Sequence, residues 1–373
     1  MSSLIFRSTS KKPILVVGNG VRSAGAAEVL IDFARKTDIP VLTTMNAVDL
    51  VQDDLKIGFI GVYGNRVANL IVKASDLVIA IGARLGLRQI GNIREYFAPN
   101  AELIRADIDE YELSRSIKPD EEKHLIDAKE FIEQLLDENI PKYTAWKRKC
   151  FEAKKLLENY DQETGNKCIK KITSMLPENP IVAIDVGQNL CWSAQSFTLR
   201  GQKGRLLIGG SYGSMGCSLP YAIGASIANG KSIVYCVTGD GGLQMNIQEL
   251  ETVSREKIPV KILVLNNHAL GKISEIQENS YAMHFSQTTK ESGYTVPDFK
   301  RVAEAYNIKG ASILSYNMLD DYADWFLDND PCLIDINLPV DSKLIPKVNW
   351  NSDSIKPELD QDTTIRINEM LGM

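Results

Sequence analysis

The chain has 373 residues, too many for one ordinary core; at roughly 100–200 residues per domain it should hold two domains. Apolar residues at 44% and charged residues at 24% describe a folded globular protein and exclude a largely disordered one. A net charge of -6 offers no electrostatic footprint for nucleic acid or for an anionic membrane, so neither is expected as a partner.

The first apolar stretch, Leu4 to Phe6, is far short of a signal-peptide core, and no apolar run reaches the ~18 residues of a membrane span. Cys150, Cys168, Cys191, Cys217, Cys236 and Cys332 form no C-x-x-C pair and read as reduced thiols. A cytoplasmic protein is expected. From Pro13 the pattern is a buried strand (Ile14 to Val17), a turn with Gly18, Asn19 and Gly20, a helix to about Lys36 and a strand around Pro40 to Thr44. A helix over Val67 to Ser75 and strands over Leu77 to Gly82 and Leu103 to Ile108 continue the alternation of an open parallel sheet. The first domain is expected to span 1–138.

Residues 139–165 mix lysines and arginines with acidic and aromatic positions and show no strand pattern; they read as a linker containing a helix, its charges a solvated face. A second alternating region, 166–373, has strands at Ile181 to Asp185, Ser232 to Gly239, Val260 to Asn266 and Cys332 to Ile336. The fold class is therefore α/β, with two doubly wound parallel sheets. The polar tail after Pro339 reads as a flap or a loose end.

The run from Ser232 to Asn267 states a complete βαβ unit. Asp240 follows its first strand and Asn267 ends its second, so both emerge at the carboxyl edge, where open α/β sheets bind ligands. Between them Asn246 reads as a helix N-cap, with Glu249 three residues on as in a capping box and Ile247, Leu250 and Val253 as the apolar face. Gly241 and Gly242 would let backbone N–H groups approach a phosphate. One carboxylate, one amide oxygen and a carbonyl, completed by phosphate oxygens, suit Mg²⁺. Gly-Asp-Gly alone is as well an ordinary turn; followed at this distance by a double Asn it reads as a diphosphate and metal site.

These residues resemble the thiamine diphosphate enzymes of the acetolactate synthase type, marked by Gly-Asp-Gly and a later double Asn. The resemblance implies that Asp240, Asn267 and the carbonyl of Ala269 bind Mg²⁺, with Leu270 and Gly271 continuing the phosphate loop. Asp185 to Trp192 is similar to the segment that wraps the diphosphate, which implies that role for Gly187, Gln188 and Asn189. Gly210 to Gly216, followed by Leu219-Pro220, is similar to the segment beneath the cofactor. There the Gly213 carbonyl would meet the aminopyrimidine, Ser214 would line the cofactor and Met215 would prop it; Met215 taken alone reads equally as a core methionine.

Gly18-Asn-Gly20 is a partial dinucleotide fingerprint, with Ser23 in place of the third glycine. With Thr44-Met45, Gly61 to Gly64, Gly82 to Arg84, Asp107 to Asp109 and Asp127-Ala128 it resembles the family's central domain, which in many members carries a non-redox FAD. Gly18, Gly20, Thr44, Gly64, Arg84, Arg88, Asp107 and Asp127 are the implied contacts. Arg84-Leu-Gly-Leu-Arg88 departs from the two acidic residues of those members, leaving either FAD or a domain that binds nothing or only a nucleotide.

The glutamate that activates the pyrimidine ring lies, in the family, in an N-terminal pyrimidine-binding domain, and no glutamate here matches it. The expectation is decarboxylation of a 2-oxo acid such as pyruvate followed by carboligation, with the pyrimidine domain supplied from elsewhere, for instance by a separate polypeptide, in a homo-oligomer (dimer or tetramer). Lys272 and Ile276 stand where acetolactate synthases have an apolar residue and a tryptophan, and point to a different acceptor pocket. The alternatives are a thiamine diphosphate decarboxylase or lyase of other specificity, and a non-catalytic cofactor-binding partner. His268 and His284 receive no role.

Overall fold

Five consecutive buried residues, Pro13–Val17, form β1 near the middle of the first sheet. An unbroken apolar run suits a strand covered on both faces, as parallel strands are. The computed structural model describes residues 6, 7, 9–201, 203–210 and 212–373. They fall into two units, one built from the chain up to Asp161 together with 345–373, the other from 162–344.

The first unit continues with α1 (Asn19–Ser23), α2 (Ala27–Thr37), β2 (Val41–Thr43), β3 (Lys56–Phe59), α3 (Arg66–Ala74), β4 (Leu77–Ile81) and α4 (Leu87–Ile90). Then come β5 (Glu102–Asp107), α5 (Glu110–Ser114), β6 (Glu122–Leu125), α6 (Ala128–Asp137) and α7 (Thr144–Leu157). The strands are parallel in the order β3-β2-β1-β4-β5-β6, with Val16 beside Leu42 on one side and Ala80 on the other. The winding reverses between β1 and β4, whose carboxyl ends flank the crevice that in such sheets takes ligands.

Backbone fills the base of that crevice. A Cβ on Gly18 would stand 2.0 Å from the Gly82 carbonyl oxygen, and one on Gly20 would stand 2.7 Å from Gly82 Cα. Neither neighbour is a flexible side chain that could move aside. Gly18→Ala is therefore expected to destabilise the first unit by about 3 kcal/mol or more, seen as a lower urea midpoint; an unchanged midpoint would refute the close approach.

The linker expectation is corrected by α7. Trp146, Cys150, Ala153 and Leu157 recur at helical spacing and are buried in the first core, and Trp146 Nε1 donates to the Pro13 carbonyl at 3.1 Å. The first unit therefore runs past Glu138 to Asp161. Lysines dilute the apolar stripe, which is why the segment looks like a solvated connector in sequence.

The second unit holds α8 (Thr164–Met175), β7 (Ile181–Ile184), α9 (Gln188–Ser196), β8 (Arg205–Ile208), α10 (Ser218–Ala228) and β9 (Val234–Gly239). It continues with α11 (Asp240–Met245), α12 (Glu249–Arg255), β10 (Val260–Asn266), α13 (Gly271–Ser280), α14 (Phe299–Ala305), β11 (Lys309–Ile313), α15 (Ala323–Leu327) and β12 (Cys332–Asn337). Its parallel order is β11-β12-β10-β9-β7-β8, with Asn266 beside Asn337. The winding here reverses between β7 and β9, so Asp185 and Asp240 follow the two strands that flank the switch point.

The tail, expected on the second domain, belongs to the first unit. An antiparallel pair, β13 (Lys347–Val348) and β14 (Ile355–Lys356), precedes α16 (Gln361–Leu371). Ile367 and Leu371 of α16 join the first core, and Lys12 Nζ donates to the Leu371 carbonyl at 2.8 Å. Arg66, ion-paired to Asp161, also donates to the Pro357 carbonyl at 2.7 Å. Few apolar residues suffice because backbone carbonyls supply the rest of the anchorage. No helix among the described residues is long and apolar enough to cross a membrane, and all six cysteines are free thiols.

Candidate diphosphate and metal site

Three neighbouring strands of the second sheet, β7, β9 and β10, each lead at the carboxyl edge into a helix: α9 at Gln188, α11 at Asp240 and α13 at Gly271. Helix starts carry unsatisfied backbone N–H groups and favour anions. Gly187, just before α9, has φ 121°, a conformation that L side chains resist.

Asp185 ties the end of β7 to β9 and to the start of α10. Fully buried, it accepts from the backbone of Val186 at 2.8 Å and of Gly216 at 2.9 Å with one oxygen. The other accepts from the hydroxyls of Ser218 at 2.9 Å and Thr238 at 3.3 Å. Sequence reasoning gave roles to Gly187, Gln188 and Asn189 and missed this residue. Its signal was present: a carboxylate ending an apolar strand at a switch point must find donors or stay out of the core.

Asp240 is 3% exposed. Its Oδ1 accepts from the Gly241 N–H at 2.7 Å, while Oδ2 is buried without a hydrogen-bond partner. Burial pushes its carboxyl up to about 6, opposed by the Gly241 backbone, the nearby Tyr294 hydroxyl and His268. A buried carboxylate so placed suits a cation. Asn267, also buried, donates from Nδ2 to Gln188 Oε1 at 2.9 Å, and Gln188 Nε2 donates to the Ser342 carbonyl at 2.9 Å. A carbonyl can only accept, so Ser342 sets the orientation of both amides and leaves the Asn267 oxygen as the end free to ligate. Among the described residues no three His, Cys, Asp or Glu gather as an all-protein metal cage. The donor set fits Mg²⁺, which takes few protein ligands and completes its shell with phosphate or water.

The surrounding glycines are close-packed. A Cβ on Gly241 would meet Leu270 Cδ2 at 2.6 Å and Met215 Cε at 2.7 Å; one on Gly242 would meet Asp185 Oδ2 at 2.9 Å. On Gly271 it would stand 2.1 Å from Gln188 Oε1. The structure thus brings Gly187, Gln188, Met215, Gly241, Gly242, Asn267, Ala269, Leu270 and Gly271 to one edge. Asn189 turns back to donate to the Asp185 carbonyl at 2.9 Å. Gly213 has φ 63°, Ser214 is exposed, and Ser211 of the same segment lies outside the described residues. Lys272 lies in the first turn of α13, 3.9 Å from Glu275, and Ile276 is partly exposed on the same helix.

Asn246 is not an N-cap, as the sequence suggested. The helix begins earlier, at Asp240, and Asn246 ends α11 while donating to the Gly216 carbonyl at 2.8 Å; α12 starts at Glu249 without a side-chain cap.

Residues 185–336 match the model of the C-terminal TPP binding domain of thiamine pyrophosphate enzymes, and residues 8–135 match the central domain. The chain belongs to the thiamine pyrophosphate enzymes. The C-terminal match opens on Asp185 and closes at Ile336, so it spans the site just described.

Among curated relatives, the chain is 34% identical over 346 residues to the probable acetolactate synthase large subunit of Methanocaldococcus jannaschii, covering 88% of this chain and 57% of that protein. It is 32% identical over 354 residues to the acetolactate synthase large subunit of Haemophilus influenzae, covering 90% and 61%. It is 30% identical over 339 residues to the acetolactate synthase isozyme 2 large subunit of Escherichia coli, covering 88% and 60%. The chain thus spans about three fifths of the length of these relatives.

The central-domain match covers the first sheet, whose carboxyl edge carries Gly18, Gly20, Thr44, Gly64, Arg84, Asp107 and Asp127, with Arg88 exposed on α4. The protein itself occupies several of them. Gly18 and Gly20 abut Gly82, Gly64 abuts the Phe59 carbonyl, Arg84 pairs with Glu112, Asp107 accepts from the Asp109 N–H, and Asp127 caps α6.

Proposed function

We propose that this chain provides the diphosphate- and Mg²⁺-binding half of a thiamine diphosphate active site. The assembled enzyme would decarboxylate a 2-oxo acid, pyruvate first among them, and join the remaining fragment to a second carbonyl compound to give acetolactate. The observation that carries the reading is the buried, unpartnered Oδ2 of Asp240 at a sheet edge where three helices begin. Asp240, Asn267 and the Ala269 carbonyl would hold the metal, and the starts of α9, α11 and α13 the diphosphate. Thiamine diphosphate, when bound, supplies the electron sink for loss of carbon dioxide. This chain's residues anchor and orient it. Met215 lies against Gly241, where it would support the cofactor, and Lys272 and Ile276 are the proposed acceptor-side residues.

The glutamate that activates the pyrimidine is proposed to come from a pyrimidine-binding domain outside these 373 residues, in the same or another polypeptide, within a homo-oligomer. Free thiols throughout fit a reducing, cytoplasmic setting. FAD on the first unit is a separate proposal, since its support is only the shared edge. A flavin absorbance spectrum in the purified protein is the expected sign; a colourless protein that gives no heat with added FAD removes it.

Turnover is tested by combining the full chain with a pyrimidine-domain polypeptide, thiamine diphosphate, Mg²⁺ and pyruvate. Acetolactate should form only when all are present. Bound thiamine diphosphate with no pyruvate consumed would instead favour a non-catalytic partner.

A further inference from the structure

His268 stands between two of the proposed ligands, Asn267 and Ala269, and has φ 55°. A non-glycine residue there is strained and persists only where its surroundings over-determine it. Two arms do so. The His268 backbone N–H donates to Asn266 Oδ1 at 3.0 Å, and its ring Nε2 meets Asn337 Oδ1 at 2.8 Å.

Both arms are rooted in the neighbouring strands. Asn266 Nδ2 donates to Asp335 Oδ1 at 2.9 Å, and Asp335 Oδ2 accepts from the Ser312 hydroxyl at 3.1 Å. Asn337 Nδ2 donates to Ser312 Oγ at 3.2 Å and to the Ile313 carbonyl at 3.1 Å. An ionised carboxylate can only accept, so Asp335 compels Asn266 to present its amide oxygen to His268. The Ile313 carbonyl likewise compels Asn337 to present its oxygen to the ring. Neither arm involves the side chain of Asp240 or Asn267, and the first Asn of the double Asn thereby acquires a task of its own.

We propose that Asp335, Asn266, Ser312 and Asn337 are positioning residues that lock His268 in its left-handed conformation. They would thereby hold the Asn267 amide oxygen and the Ala269 carbonyl in one fixed arrangement, which matters most for Mg²⁺ because it demands near-ideal geometry. The inference rests on the metal reading above and deepens it. Ca²⁺, with its longer and more irregular bonds, tolerates a loosened loop better than Mg²⁺ does.

The test is calorimetric titration of the full chain with Mg²⁺ and, separately, Ca²⁺ at saturating thiamine diphosphate, with melting curves recorded without metal. Asn337→Ala cuts one arm at a partly exposed residue and should weaken Mg²⁺ binding about 10–100-fold, weaken Ca²⁺ binding less, and leave the metal-free melting temperature nearly unchanged. Asp335→Asn keeps an acceptor for Asn266 and should restore most of the Mg²⁺ affinity that Asp335→Leu loses. Should Asp335→Leu fail to fold, Asn337→Ala alone decides. Unchanged Mg²⁺ affinity in Asn337→Ala, or equal losses for the two ions, overturns the positioning role while leaving the metal site standing. A parent chain that binds thiamine diphosphate identically with and without Mg²⁺ overturns the metal reading itself.

Discussion

Asp240→Asn is expected to lower Mg²⁺-dependent binding of thiamine diphosphate by on the order of 100-fold or more, and at the same time to stabilise the metal-free protein. The two effects share a cause. The carboxyl is raised from 3.8 to about 6 by burial, so the folded chain at neutral pH holds a charge that the unfolded chain would hold more comfortably. Removing the charge while keeping the shape relieves about 3 kcal/mol at pH 7 by linkage. The sign follows from proton uptake: between about 6 and 3.8 the folded state binds the proton more tightly, so the parent gains stability as pH falls through that window. The advantage of Asp240→Asn in urea unfolding should therefore be full above pH 6 and vanish near pH 4. An advantage independent of pH would show that burial of the charge is not its origin, and undiminished Mg²⁺-dependent binding would remove Asp240 from the metal site.

Asp185→Ala should produce the largest loss of stability in the second unit. Four donors, two backbone and two hydroxyl, converge on that carboxylate, and the hydroxyls can turn elsewhere while the Gly216 N–H cannot. Stranding buried donors in this way costs about 3–5 kcal/mol, a fall in melting temperature of roughly 10 °C. Asp185→Asn retains an acceptor for the backbone groups and can donate to a hydroxyl, so it should lose less than half as much. Equal losses in the two variants would mean that charge, rather than hydrogen bonding, is what this position requires.

The inner strands of both sheets were legible in sequence and the edge strands were not. β2, β1 and β4 of the first sheet and β12, β10, β9 and β7 of the second are mostly apolar runs, as burial on both faces demands, and β5 still shows Leu103, Ile104 and Ala106 among its charges. The four edge strands, β3, β6, β8 and β11, escaped. β6 exposes alternate residues, β11 exposes Lys309 and Ser312, and both are rich in polar or small residues like a loop, while β8 is a short apolar run that is only partly buried. The placement of Asp240 and Asn267 at one edge was legible because both follow inner strands. What could not be read was how side chains from distant segments answer one another: Asp185 with Gly216 and Thr238, or Asn266 with Asp335. Such pairings depend on strand order, and strand order is not written in any local run of residues. The close approach of Gly18 to Gly82 was hidden for the same reason; a glycine beside a helix start looks alike whether a ligand or the chain's own backbone comes near.

The return of 345–373 to the first unit makes that unit discontinuous, with the whole second unit inserted in it. During synthesis at ~5–20 residues per second, the nascent first core waits roughly 10–40 s before α16 emerges to cover it. Over that interval the surface later closed by Ile367 and Leu371 stays open to chaperones and to other chains. Expression of 162–344 alone asks nothing of this kind, since every strand of its sheet lies in one continuous stretch. Expression of 1–161 alone withholds a permanent part of the core, and aggregation at that exposed seam is the outcome its truncation invites.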